Sequence, residues 1–138
     1  MDLKRWVLAG VGAFVTIVVG DYLIHELWLG GFYRATASWW RPASQMRSLM
    51  GLMFLSEAML AAVLTLIYTK GYEPSKGTLS QGFRFGVLMG VLLGVPSSLM
   101  KAFVYPYPLS LILNWMVGTI VELAVVGLVI GALYKPAK

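Results

Sequence analysis

The chain has 138 residues, enough for one domain, of which 59% are apolar and 12% charged. Water-soluble domains run nearer half apolar and a quarter charged, so an ordinary soluble core is excluded. The formal charge is +5, but the basic residues lie between apolar runs and form no stripe, which points to membrane flanks and away from nucleic acid. The absence of cysteine excludes disulfides, thiolate metal sites, iron–sulfur clusters and thiol catalysis.

A helix crosses ~30 Å of hydrocarbon with roughly 20 apolar residues. Four runs qualify: residues 6–29, 46–69, 83–105 and 109–134. Lys4 and Arg5 before the first run resemble the start of a leader. That run is long, lacks a small-x-small cleavage site and is followed by three more, so it reads as a span. After it comes GGFYRATASWWRPASQ, a polar and aromatic loop expected to be the largest external feature. Trp28, Phe32, Tyr33, Trp39 and Trp40, with Tyr105 and Tyr107, are expected to form an aromatic belt at one membrane surface. KGYEPSKGTLSQG joins spans two and three, and YPYP turns tightly into span four. The expected fold is all-α, a single transmembrane domain over residues 1–138 built as an integral membrane four-helix bundle.

Seven basic residues (Lys4, Arg5, Lys70, Lys76, Arg84, Lys135 and Lys138) fall on one side and three (Arg34, Arg41 and Arg47) on the other. Both termini are therefore expected in the cytoplasm, with the chain multi-pass in the cell inner (plasma) membrane. Val7-Leu8-x-Gly10-Val11 matches Val87-Leu88-x-Gly90-Val91, and Glu57 corresponds to Glu122, suggesting two pseudo-repeated helical hairpins.

Gly86, Gly90 and Gly94 make one stripe on span three, and Gly127 and Gly131 repeat the pattern on span four. Hydrophobic drive between helices is weak in lipid, so these stripes predict close helix packing, within one chain or between chains. Pro96 predicts a kink near residues 94–98.

The informative polar residues are Asp21, His25, Glu57, Lys101, Asn114 and Glu122. Glu57 and Glu122 fall near the span centres, with Asp21 ~6 Å and Lys101 ~9 Å toward the outer side. Helical spacing puts Phe14, Ile17, Asp21, His25 and Trp28 on one face, and Asn114, Gly118 and Glu122 on another. Charged groups at such depth usually face inward and must pair, bind a cation or carry a proton. Asp21 and Lys101 are expected to form a buried ion pair between spans one and three. Asp21, His25, Glu57, Glu122 and Asn114 remain candidates for a ligand or ion.

Several readings stay open. The cluster is structural; or a midplane carboxylate couples protons or cations to transport; or the site holds a metal or haem, with Asp21 and His25, at i and i+4, as ligands; or it serves catalysis or lipid-headgroup chemistry in the membrane. A single histidine means that bis-histidine haem needs two subunits. Phosphate loops, nucleophile elbows and HExxH are absent. Ser97 and Ser98 lie one turn from Lys101, but serine after a helical proline more often serves a backbone carbonyl. The eight methionines read as packing residues. The leading functional expectation is proton- or cation-coupled membrane transport. The alternative is a non-catalytic accessory or assembly subunit of a larger membrane complex. Either is expected to assemble as a homo-oligomer or within such a complex.

The stretch DYLIHELWLGGFYRATASWWRP, residues 21–42, with the later ALYKP, resembles small uncharacterised bacterial four-span membrane proteins of the DUF1761 type. The resemblance rests on size, span count and the aromatic-rich end of span one. It implies a four-span architecture and no particular activity.

Overall fold

The computed structural model describes residues 2–135, and all regular structure within them is helical. Helix α1 spans Leu3–Asp21, with Asp2 accepting a hydrogen bond from the Arg5 amide at 3.1 Å to cap it. It continues without a break as a π-helical stretch, Tyr22–Trp28. Two short helices follow, α2 (Gly30–Ala35) and α3 (Ala43–Ser48), separated by a single 3-10 turn, Ala37–Trp39. The long helices α4 (Met50–Lys70), α5 (Thr78–Val104) and α6 (Leu109–Leu133) complete the chain. Leu3–Trp28, α4, α5 and α6 are each long and apolar enough to cross a membrane.

Two boundaries differ from the sequence expectation. The second span starts at Met50, because Leu49 leaves helical geometry after the Ser48 hydroxyl bonds back to the Gln45 carbonyl at 2.7 Å. The third starts earlier, at Thr78. Gln81 bonds back to the loop, accepting from the Glu73 amide at 2.9 Å and donating to the Glu73 carbonyl at 2.8 Å. That clasp organises the first turn of α5.

Packing runs in the order α4, α1, α6, α5. The tightest contact joins α5 to α6, within one chain, along the glycine stripes. A Cβ on Gly127 would stand 2.7 Å from the Gly86 backbone, and one on Gly86 would stand 2.9 Å from Ala124 Cα. At Gly94 the nearest atom would be 3.3 Å away, so the two helices separate toward this end. α5 continues through Pro96, and the Ser97 hydroxyl donates to the carbonyls of Leu93 and Gly94. That accounts for Ser97 as a backbone-serving hydroxyl.

The main core cluster fills one end of the bundle, while Leu29, Leu111 and Ile112 are buried at the other. Ala9, Ala13 and Ile17 of α1 pack with Leu64 of α4 and with Val126 and Ile130 of α6. Tyr68 seals this end, donating to the Thr78 carbonyl at 3.3 Å and touching the rings of Phe85 and Tyr134. These contacts place Lys70 and Lys135 at the same end; Lys138 lies outside the described residues. The matched glycines of the two hairpins stand in different surroundings. Gly90 abuts the Ile120 backbone of α6, whereas Gly10 has only Thr65 Oγ1 of α4, at 4.0 Å.

At the other end α4 leaves the bundle, and residues 41–56 are exposed throughout. Overfilling the α5–α6 seam is expected to be the most damaging small change. Gly127→Val should lower resistance to unfolding in detergent by ~3 kcal/mol, since backbone must move. Gly51→Ala, which meets nothing within 4 Å, should change it by less than ~1 kcal/mol.

Candidate functional site

Where α5 and α6 separate and α4 departs, a cavity of about 720 Å³ opens. Its acidic lining includes Asp21 of α1 and Glu122 of α6. Tyr33, Trp40 and Trp115 form its aromatic walls, and Arg34, Arg41 and Lys101 supply cations nearer the mouth.

Glu122 is seated by a glycine. A Cβ at Gly20 would meet Glu122 Cγ at 3.0 Å and Cδ at 3.1 Å, so the glutamate lies along bare α1 backbone. Gly118, one turn earlier in α6, accepts Ile24 in the same manner. Glu57 reaches the cluster from α4, only 5% exposed and outside the cavity lining. Both of its carboxyl oxygens, and Oε1 of Glu122, are buried without a hydrogen-bond partner. Asp21 is close enough for its charge to act on both glutamates. Three carboxyls from three helices thus share one place, two of them lacking protein donors.

A polar chain runs from this cluster to the aromatic wall. The Trp115 indole donates to the Tyr33 hydroxyl oxygen at 2.7 Å, and His25 Nδ1 stands 2.8 Å from the same oxygen. Indole N–H is only a donor, so the phenol proton is free to point at His25. With Nδ1 accepting, the ring proton sits on Nε2, which lies 3.5 Å from Asp21 Oδ1. The chain is therefore Trp115 to Tyr33 to His25 to Asp21. It depends on the π-helical stretch, which carries His25 and hands over to α2 through a Leu29 amide to Ile24 carbonyl bond five residues apart.

Burial pushes the Tyr33 phenol above its ordinary value; the Trp115 hydrogen bond opposes this and the Asp21 charge adds to it.

The expected Asp21–Lys101 ion pair is not formed. Among the described residues the ion pairs are Asp21–His25 and Glu73–Lys76. The Lys101 ammonium instead lies 5.0 Å from the centroid of the Trp115 ring, where the π face offers an alternative to the carboxylate. Lys101 is nonetheless on the α6-facing side of α5, and both residues line the cavity. Asn114 does not line it, and Trp28 is exposed, turned aside by the altered winding of Tyr22–Trp28. The serines make no hydrogen bond to Lys101. Asp21 and His25, the candidate metal pair, stand 3.5 Å apart, Oδ1 to Nε2. Among the described residues no group of three or more histidines and acids has a metal-holding arrangement.

Tyr33, Trp115, Arg34 and Arg41 were not separable by sequence from belt and loop residues. The available signal was a tryptophan inside span four and two arginines within the aromatic loop. No protein-family model, curated protein or solved structure matches the chain.

Tyr33→Phe strands the indole of Trp115 and Nδ1 of His25, and should cost ~1–3 kcal/mol in a detergent unfolding titration. The Tyr33 contribution is fully present below its ordinary value of 10.0 and is lost as pH rises through its higher folded value. The stability gap between wild type and Tyr33→Phe should therefore be constant at neutral pH and shrink in strong alkali. A gap that widens there would contradict the arrangement.

Proposed function

We propose that the chain is a small proton- or cation-coupled transporter of the plasma membrane, with both termini cytoplasmic, working as a homo-oligomer. The carrying observation is a cavity open at one end and closed at the other whose floor includes a carboxyl group without a protein partner, Glu122. A carboxylate in that position must be neutralised by a proton or a cation, and the cavity provides the route. The packed core between Ile17 and Tyr134 closes the opposite side. Alternation between a neutralised and a ligand-bound carboxyl is the elementary step of coupling. The excess of loop Lys and Arg at the Tyr68 end supports cytoplasmic termini, with the cavity facing outward.

A second reading, an accessory or assembly subunit, is favoured by the exposed flank of residues 41–56, which leaves α4 with a face that a partner helix would cover. Purification from the native membrane with identification of co-purifying proteins separates the two readings.

For transport, liposomes loaded with a pH-sensitive dye and carrying the purified chain should change internal pH when challenged with Na⁺, K⁺ or organic amines. Glu122→Gln should slow the response at least ~10-fold, as loss of an essential proton carrier does. No response to any cation from folded, inserted protein rejects transport. A single-chain particle mass in a mild detergent shown to preserve known oligomers rejects the homo-oligomer.

A further inference from the structure

The cavity holds two sets of charges that do not neutralise each other. Arg34, Arg41 and Lys101 take part in no ion pair, while Glu122 Oε1 has no donor. Seven residues of α6 separate Glu122 from Trp115, under which Lys101 is held, a rise of ~10 Å. A purely anionic ligand would satisfy the mouth and be repelled by the floor. A purely cationic one would satisfy the floor and be repelled at the mouth. A ligand carrying both charges satisfies each.

We infer that the cavity binds a phosphate–ammonium zwitterion, and that the physiological source is the headgroup of an aminophospholipid entering from the membrane. The phosphate sits at Arg34 and Arg41, whose planar forks suit phosphate oxygens. The ammonium points inward to Glu122 and Asp21. It must be a primary ammonium, because the Glu122 and Asp21 carboxyls that line the cavity accept N–H donors, which a quaternary amine lacks. The lipid source follows from the open flank. α3 supplies Ala43 and Met46 to one side of the cavity and α5 supplies Lys101 to the other. α4 packs on α1, and its residues from Met50 to Ser56 are exposed, so this side of the cavity has no packed α4–α5 wall. A headgroup enters here while its acyl chains stay in the bilayer.

This deepens the transport reading by naming the ligand of the same cavity, but it is tested by binding and not by flux. The purified wild-type chain is equilibrated with mixed micelles of phosphatidylethanolamine, phosphatidylglycerol and phosphatidylcholine, and retained lipid is read by native mass spectrometry. Phosphatidylethanolamine should exceed each of the others by about tenfold, the worth of one charge-assisted contact. The surface changes Arg34→Gln with Arg41→Gln, and separately Glu122→Gln, should each erase that preference while leaving the chain folded. Equal or greater retention of phosphatidylglycerol, or of phosphatidylcholine, overturns the proposal without using any variant. Displacement by soluble glycerophosphoethanolamine at equal concentration overturns the lipid source. A wild-type chain with no phosphatidylethanolamine preference but intact cation-driven flux rejects this inference and spares transport; a wild-type preference without flux does the reverse.

Discussion

Backbone contact between α5 and α6 is the constraint from which the rest of the molecule follows. In lipid, apolar side chains gain little by leaving their surroundings, so two helices hold together by dispersion and close approach. The seam of Gly82, Gly86 and Gly90 against Gly127 and Gly131 supplies that approach. It also fixes the rotation of α6. With Ala124 and Gly127 turned to α5, the opposite face, carrying Glu122, Gly118 and Val129, must meet α1. Glu122 is therefore directed at Gly20 by a packing event on the far side of its own helix. The seam loosens at Gly94, and the space released beyond it is the space the cavity uses.

The molecule thus divides into halves of different physics. At the Tyr68 end small residues and tyrosines pack closely around Ile17, Leu64 and Ile130. At the other end Trp39, Trp40, Tyr107 and Trp115 form a connected ring cluster, tilted at Trp39–Trp40 and Trp40–Tyr107 and edge to face at Tyr107–Trp115, that keeps walls apart. Large rings with polar edges are suited to this: they are rigid, and their N–H and O–H groups find partners, as Trp40 does with Thr36 at 2.9 Å. The deepest charges are held at the boundary between the halves.

The four helices were readable because twenty-residue apolar runs leave few alternatives, and the glycine stripes because a spacing of four is a face in any α-helix. The partnership of charges was not readable in the same way. Depth along a span puts Asp21 and Lys101 in the same half of the bilayer, but a ring at Trp115 competes for the ammonium, and nothing local in the sequence near Lys101 announces it. Likewise Tyr33 reads as one more belt aromatic until α2 folds back and brings it to His25. The faces drawn for α1 hold through Ile17 and Asp21 and fail at Trp28, because periodicity assumes one winding throughout.

That change of winding has a consequence for comparing chains. A π-helical stretch holds one residue more than an α-helix that closes the same turns. A relative in which residues 22–28 wound as α-helix would need one residue fewer there to present the same faces on both sides. Aligned without a gap, such a relative would be out of phase by one residue, about 100° around the axis. Counterparts of Asp21 and Tyr33 would then never fall in register together. In any family gathered around this chain, a single-residue gap within span one marks the winding and does not indicate a damaged sequence.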